Sequence, residues 1–477
     1  MTLDVRQPIL EPGVTCWRTA VANRFVLLSD GESYMPVMRA AMEAACQSIL
    51  LVGWDFDPRT RLDPSTADGE APERLCDLFA RLLARRPSVR IQVLVWDMSL
   101  LFAWQRRDRP QKGRRWLPLP VEYLLDGRHP LGASHHQKLL VVDDAVAFCG
   151  GADFTPNRWD TRAHLSDDPR RRAPEGGFYA PRHEVMAAVD GVAATDLAEL
   201  ARDRWQRAGG APHRPTVAAE DPWPAGLAPD VGACTVGIAR TMAGDGADSA
   251  VREVEALYLR AIARARDWIY IENQYFTAPA IGDALARRLS EDDGPDILVI
   301  GSLHSGGRAD RLSMDRARRL LVQRLQAADR RGRFRALAPL TAAGETIIVH
   351  SKVMVVDDRL FRIGSANLNR RSLGLDTECD LCIEADAGDA QARGALLRLL
   401  ARLLSEHFGC EGTRIEAGLR SGGRLLAILD AIGPAAPGRL KALGREPATF
   451  VDRLVARHHL FDPAGVADNW RPWRRRA

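Results

Sequence analysis

The sequence predicts an α/β protein made of two homologous α/β/α repeats, whose mixed sheets pack side by side in one pseudo-two-fold unit. The first observation is a repeated pattern: residues 136–143 and 350–357 each read His-x-Lys, four further residues, then Asp. The second is that helical and strand-like segments alternate in the same order around both copies. The third is that apolar runs such as residues 91–96 and 297–301 are continuous, which indicates strands covered on both faces.

Each half is predicted to begin with an amphipathic helix, over residues 37–47 and 251–266, because apolar side chains recur there at helical spacing. A strand, a second helix and a buried strand follow, then the two strands around the motif, a closing strand and a long helix. Predicted strands and closing helices lie at 49–56, 91–96, 184–189 and 193–207 in the first half, and at 269–276, 297–301, 378–385 and 390–407 in the second.

The length of 477 residues, with 46% hydrophobic and 27% charged residues, suits two sizeable domains with large cores. A stretch rich in proline and glycine without periodicity marks the linker between them. The predicted division is a first repeat at 14–209, a linker at 210–235, a second repeat at 236–412 and a helical tail at 413–477.

The charge and the cysteine content limit which partners and which cellular compartment we expect. Lys and Arg outnumber Asp and Glu by 66 to 62, and a net charge of +4 does not indicate a dedicated nucleic-acid-binding protein. No apolar run approaches the length of a membrane span, and the first residues lack a signal-peptide pattern. The eight scattered cysteines fit a reducing compartment. We therefore expect a cytoplasmic protein with at most peripheral membrane contact; export without a signal peptide stays open.

The repeated His-x-Lys pattern supplies the groups that phosphodiester cleavage needs. Lys138 and Lys352 can neutralise the nonbridging oxygens as point charges with three donors each. One of the imidazoles of His136 and His350 can attack phosphorus while the other protonates the leaving oxygen. Positions i and i+2 of a strand face the same side, so the histidine and lysine of each motif should project together.

Residues around the motifs receive supporting roles. Ser365 and Asn367 can donate hydrogen bonds to a phosphate. The first copy has Gly151 and Asp153 at these places, which predicts an asymmetric pocket. Two aspartates at the strand ends, Asp143 and Asp357, are predicted to fix turns rather than to bind phosphate. No carboxylates or histidines occur at metal-ligand spacing, so we expect no metal.

The two motifs resemble the signature of the phospholipase D superfamily, H-x-K-x(4)-D followed by G-[SG]-x-[ND], which reads Gly-Gly-Ala-Asp at 150–153 and Gly-Ser-Ala-Asn at 364–367. The resemblance covers residues 14–410. Segments 158–164 and 269–276 are similar to the eukaryotic-type branch of true phospholipases rather than to its nucleases.

That resemblance implies hydrolysis of a glycerophospholipid to phosphatidate and a headgroup alcohol through a phosphohistidine, with transphosphatidylation as the alternative second step. It implies that His136 is the nucleophile and His350 the general acid and base. It also implies that Glu184 and Glu378 orient the imidazole rings, with Asp376 a competitor for the second. The expected partners are a phospholipid at a membrane surface and a water or alcohol acceptor, without cofactor or nucleic acid.

The sequence is also compatible with three other functions. A cardiolipin-synthase-like phosphatidyltransferase would use the same chemistry, although such enzymes usually carry N-terminal membrane spans. A phosphodiesterase acting on nucleic acid and a non-catalytic lipid-binding scaffold are the others. A monomer suffices, because both half-sites lie on one chain.

Some segments have unassigned or weaker roles. The basic stretch 106–116 either lines the mouth of the pocket or forms a solvated loop. The terminus at 470–477 is either a membrane-surface anchor or, as is commoner, a disordered end. His135 should face away from His136, His407 should lie on a helix surface, and the places of His164 and His183 stay open.

Overall fold

A computed structural model describes part of the chain. The described residues are 8–64, 72–97, 114, 117–118, 120–130, 132–244, 250–436, 438–447, 449–450, 452–453, 459 and 462–466. The basic stretch predicted at 106–116, apart from Arg114, and the terminus at 470–477 lie outside these residues.

The described elements alternate as the sequence predicts. The strands in chain order are β1 (Arg18–Ala22), β2 (Phe25–Ser29), β3 (Ser48–Gly53), β4 (Arg90–Trp96), β5 (Glu122–Asp126), β6 (Leu139–Val142), β7 (Val146–Gly150), β8 (Arg182–His183), β9 (Val185–Asp190), β10 (Cys234–Met242), β11 (Val251–Arg252), β12 (Trp268–Asn273), β13 (Asp296–Ile300), β14 (Phe334–Pro339), β15 (Ile348–Val349), β16 (Lys352–Val356), β17 (Leu360–Gly364), β18 (Glu378–Glu384) and β19 (Leu440–Ala442). The helices are α1 (Gly31–Ala44), α2 (Leu75–Arg85), α3 (Gly191–Arg207), α4 (Glu253–Arg264), α5 (Pro279–Ser290), α6 (Arg308–Ala328), α7 (Arg370–Gly374), α8 (Ala390–Phe408), α9 (Gly412–Arg420) and α10 (Leu425–Ile432), with a 3-10 turn at Pro156–Arg158.

Both repeats have the same strand order. The first sheet runs β5-β4-β3-β6-β7-β9-β2, and the second contains the equivalent path β14-β13-β12-β16-β17-β18-β10. In each, the three strands at one side are parallel and the rest are antiparallel. The structure therefore confirms an α/β fold of two equivalent repeats with mixed sheets. Apolar side chains cover both faces of strands such as β6 and β16, which explains their continuous hydrophobicity.

One shared core joins the repeats. Inward-facing side chains of both sheets belong to a single buried cluster together with α3 and α8. At its centre the rings of Phe25 and Phe361 meet edge to face with centroids 6.1 Å apart. Cys149 of the first repeat lies with its Sγ atom 4.0 Å from that of Cys379 in the second. This contact brings β7 and β18 together, and these strands lead into the site.

The edges of the second sheet differ from the sequence prediction. β1, from the segment assigned to the first repeat, pairs with β10 of the second sheet. The predicted helical tail also contributes a strand, because β19 pairs with β14 at the opposite edge. These additions cover edges that would otherwise expose unpaired backbone groups. None of the helices in the described part of the chain is both long and apolar enough to cross a bilayer.

Candidate active site

The two motif histidines precede the regular strands instead of lying within them. Strand β6 begins at Leu139, after His136 and Lys138, and β16 begins at Lys352, after His350. Each histidine is held by the backbone of the other repeat. His136 N donates to Thr377 O at 3.0 Å, and His350 N donates to His183 O at 2.8 Å. The prediction that each histidine is a strand residue is wrong, since its backbone pairs across the repeats instead.

Two glutamates hold the imidazole rings crosswise. Nδ1 of His136 lies 2.9 Å from Glu378 Oε2, and Nδ1 of His350 contacts Glu184 Oε1 directly. Both carboxylates are fully buried. Each glutamate thus serves the histidine of the opposite repeat. With Nδ1 engaged, the Nε2 atom of each ring is the one left for chemistry at phosphorus.

The motif lysines are buried beside the histidines. Lys138 Nζ donates to His136 O at 3.0 Å, and Lys352 Nζ donates to His350 O at 2.6 Å. Burial lowers the pKa of both amines, and it lowers the pKa of both imidazoles, with the lysine charges adding to the effect. Cations concentrated in this way favour an anion such as a phosphodiester between them.

Ser365 and Asn367 have different surroundings. Ser365 Oγ donates to Glu378 Oε2 at 2.5 Å and accepts from Cys379 N at 3.0 Å. The structure therefore places Ser365 against Glu378, where it positions a carboxylate, and not as the phosphate ligand the sequence predicted. Asn367 is 4% exposed, and its Oδ1 has no hydrogen-bond partner among the described residues. Its amide stays a candidate for substrate contact.

Gly151, at the place of Ser365 in the first repeat, is required by the second motif. A Cβ atom there would lie 2.8 Å from His350 O and 3.4 Å from the Lys352 side chain. A serine would therefore displace His350 and Lys352 of the opposite repeat. The sequence difference between the two copies follows from this close approach of backbones.

Asp143 and Asp357 bind backbone at the turn after each motif strand. Asp143 accepts from the N–H groups of residues 46–48, and Asp357 from those of residues 266–268. Both have positive φ, at 51° and 50°. Each carboxylate thereby ties the turn to the start of β3 or β12. Neither contacts the motif histidines, in keeping with the structural role predicted for them.

Replacing Asp357 by alanine should lower the free energy of unfolding by about 2 kcal/mol, because three N–H groups, that of Trp268 buried, lose a charged acceptor. The turnover per folded molecule should change little. Urea unfolding and activity of the folded fraction measure the two effects. Asp358→Ala is the matched control and should cost less than about 1 kcal/mol, since it breaks only a half-exposed pair with Arg393. Lost turnover at unchanged stability would instead place Asp357 in the chemistry.

Arg158 joins the first repeat to the second histidine, and the sequence did not identify it. Its Nη1 lies 3.2 Å from Glu184 Oε1 and 3.3 Å from His350 Nδ1, while Nη2 lies 3.3 Å from Asp153 Oδ2. Asp153 also lies 3.4 Å from Lys138 Nζ, so its charge is compensated twice. The one available signal was its place five residues after Asp153, inside the segment that resembles eukaryotic-type enzymes.

The two histidine–glutamate pairs therefore differ in charge. Arg158 accompanies Glu184, whereas Ser372, five residues after Asn367, is the equivalent residue near Glu378. Burial raises the pKa of Glu378 to about 8, although the hydroxyls of Ser365 and Ser372 lower it. The Glu378–His136 pair can thus keep a proton that a solvated carboxylate would lose.

Glu378→Gln should gain stability relative to the wild type as the pH rises from about 4.5 to about 8. The unfolded wild type loses the carboxyl proton near pH 4.5, while the folded protein keeps it up to about pH 8. The contribution of this group to stability is therefore fully present below pH 4.5 and lost as the pH approaches 8. The free energy of unfolding of the variant minus that of the wild type should grow by up to about 1.4 kcal/mol per pH unit, as measured by urea unfolding. Parallel stability curves would contradict the raised pKa.

A second cluster of histidines and carboxylates is buried between the repeats. Its members are Asp30, His164, His183, Glu272, Glu406 and His407. Possible ligand atoms of the four residues Asp30, His164, His183 and Glu406 all lie within 4.8 Å of one another, so they could hold a metal ion. The prediction that His407 lies on a helix surface is wrong, because it is 2% exposed and its Nε2 lies 3.1 Å from Glu272. These residues come from distant segments, which is why no ligand spacing appears in the sequence.

Comparison with known proteins points to one family. Residues 258–398 match the family model described as "Cardiolipin synthase, PLD-like domain". The chain is 25% identical over 461 residues to phospholipase D A of Dictyostelium discoideum, covering 80% of this chain and 35% of that protein. It is 24% identical to phospholipase D alpha 1 of Zea mays, covering 83% of this chain and 67% of that one.

Other similarities bear on length and fold. Phospholipase D1 of Schizosaccharomyces pombe is 27% identical over 59% of this chain and 28% of its own length. The chain thus spans about a third of the length of the Dictyostelium and fission-yeast relatives. The structure of phosphatidylserine synthase from Haemophilus influenzae superposes with a TM-score of 0.52 at 14% identity, covering 91% of this chain and 92% of that one. At this identity the likeness concerns the fold.

Proposed function

Since the chain belongs to the phospholipase D superfamily, we propose that it cleaves a glycerophospholipid into phosphatidate and a free headgroup alcohol. The observation that carries the proposal is the crosswise arrangement of two histidine–glutamate pairs beside two buried lysines. Such a site offers two imidazoles to one phosphorus and positive charge to its nonbridging oxygens.

In the proposed first step, Nε2 of His136 attacks phosphorus and the bond from phosphorus to the headgroup oxygen breaks. His350 gives its proton to that leaving oxygen, so the alcohol departs neutral. Lys138 and Lys352 stabilise the charge on the nonbridging oxygens. Glu378 Oε2 lies 2.9 Å from Nδ1 of His136, which orients the ring and leaves Nε2 free to attack.

In the second step, His350 is neutral and removes a proton from water, whose oxygen attacks phosphorus. The bond between phosphorus and His136 breaks, and phosphatidate is released. If an alcohol takes the place of water, the phosphatidyl group is transferred instead. Hydrolysis and transfer therefore differ only in the second acceptor.

Phosphatidyl transfer of the cardiolipin-synthase kind is the second candidate, because the matched family model carries that description. The chemistry is the same, and the acceptor would be the hydroxyl of another phospholipid. For either candidate we propose peripheral contact with a membrane surface and a cytoplasmic location, and a single chain that forms the whole site. The support for the location is the cysteine usage.

The proposal is tested by offering the purified protein vesicles of phosphatidylcholine, with and without a short primary alcohol, beside single-stranded DNA. Phosphatidate should form without the alcohol and a phosphatidyl alcohol with it. Cardiolipin formed from phosphatidylglycerol vesicles, without phosphatidate, would favour the second candidate. Cleavage of DNA with no turnover of any lipid would overturn both.

A further inference from the structure

Arg182 is a cation next to the site, and two of its three guanidinium nitrogens lack a hydrogen-bond partner among the described residues. Its Nε and Nη1 atoms are buried and have no hydrogen bond to any described residue. Two other buried arginines meet aspartates: Arg202 contacts Asp144, and Arg362 contacts Asp380. A buried donor that carries charge and lacks an acceptor is costly, so it requires an explanation.

The place of Arg182 relative to His350 is set by a short strand pair. In the parallel pair β8–β15, Arg182 lies opposite Ile348, two residues before His350. Two residues of extended chain span ~7 Å. Lys352 lies two residues beyond His350 in the other direction. Arg182 is therefore on the side of His350 that faces away from the lysine.

Arg182 also shares the face of the catalytic groups. Positions two apart in extended chain point the same way, so Arg182 projects with Glu184, whose carboxylate contacts His350. Consistent with this, burial and nearby cations, Arg182 among them, lower the pKa of His350. The two residues are thus within electrostatic range of each other.

The geometry of the proposed displacement at phosphorus indicates which part of the substrate lies on the side of His350 away from Lys352. The nucleophile His136 and the leaving oxygen stand on opposite sides of phosphorus, and His350 protonates the leaving oxygen. The headgroup attached to that oxygen therefore extends past His350, away from the lysines that hold the phosphate. On that side of His350, Arg182 pairs with Ile348 in the short strand pair.

We propose that Arg182 binds a negatively charged group on the departing headgroup, such as a carboxylate. The inference rests on the proposed function and narrows it to anionic headgroups. A guanidinium recognises a carboxylate through two parallel hydrogen bonds, which would satisfy the buried donors. A headgroup that bears only an ammonium group would leave them unsatisfied and would meet a like charge.

Phosphatidylserine and phosphatidylethanolamine test this, because their headgroups differ only by the carboxylate. Dihexanoyl forms below their micellar concentration remove the influence of surface charge. The wild type should turn over the serine lipid with a kcat/KM on the order of 10- to 100-fold higher. Arg182→Gln should abolish that preference, and Arg182→Lys should keep part of it. Arg172→Gln, which removes an exposed arginine of the preceding segment, should leave the preference unchanged.

Loss of folded protein can be distinguished from loss of headgroup preference, and failure of this inference from failure of the proposed function. Arg182→Gln should melt at the same or a higher temperature than the wild type, because it removes two buried charged donors without hydrogen-bond partners among the described residues. Equal turnover of the two lipids by the wild type, or an equal loss for both in Arg182→Gln, would overturn the inference and leave the proposed function standing. If neither lipid is cleaved, the proposed function fails. In that case, titration calorimetry measures the affinity of the wild type for glycerophosphoserine and for glycerophosphoethanolamine. Equal affinities would refute the proposed role of Arg182.

Discussion

Replacing His136 by alanine is expected to lower kcat for phosphatidate release by roughly four to six orders of magnitude, the loss typical of an enzyme without its nucleophile. The reason is that no other described imidazole except His350 lies beside both motif lysines, and Nδ1 of His136 is already oriented by Glu378 at 2.9 Å. The measurement is phosphatidate released from vesicles of the phospholipid that the wild type turns over fastest. His213→Ala, a half-buried histidine of the linker, is the control and should retain activity.

Trapping the covalent intermediate assigns the roles of nucleophile and general acid to the two histidines. Acid quenching of wild type with radiolabelled lipid should leave a labelled phosphatidyl group on the peptide that contains His136. His350→Ala should still form this adduct from a p-nitrophenyl ester, whose leaving group needs no proton, and should accumulate it because the base for the second step is absent. Label on the peptide that contains residue 350 would reverse the assignment.

Replacing Arg158 by glutamine is expected to produce the next largest effect. It removes the cation that joins Glu184, Asp153 and His350, and leaves two buried carboxylates with less compensation. The free energy of unfolding should fall by about 3 kcal/mol. For a lipid with an alkyl leaving group, kcat should fall by roughly 100-fold, because His350 then donates its proton less well. For the p-nitrophenyl ester the fall should be small.

Ser372→Ala is the matched variant in the other repeat. Ser372 stands near Glu378, which orients the nucleophile, so its loss should slow both esters by a similar factor. A leaving-group dependence in Ser372→Ala, or an equal loss for both esters in Arg158→Gln, would contradict the division of roles between the two pairs. Urea unfolding of each variant separates these effects from loss of folded protein.

Much of the fold follows from local patterns. Continuous apolar runs predicted β4 and β13 to within one residue at each end, and the long closing helix α8 was predicted to within one residue. Such elements have many residues that all report the same periodicity. The edges were not predicted. β19 has three residues and forms only because β14 offers an open edge, which no local pattern reveals.

The candidate site divides in the same way. His136, Lys138, His350 and Lys352 were identified from spacing, since the chemistry needs them close together in the chain. Glu184 and Glu378 were expected near the histidines, but the sequence did not predict that each glutamate contacts the histidine of the opposite repeat. The contacting residues lie 166 and 242 positions apart, so only the docking of the repeats decides which ring each carboxylate meets.

Motif spacing and periodicity were enough to predict two half-sites of imidazole and lysine on duplicated α/β repeats. Only the tertiary structure decided how the halves differ: Gly151 is small because the backbone of His350 approaches it, Ser365 positions Glu378, and Arg158 reaches across to the second histidine. The physical reason is that residue types repeat along the chain, whereas charge compensation and close approach depend on which surfaces meet. Two nearly identical motifs therefore become two different environments once the repeats share one core.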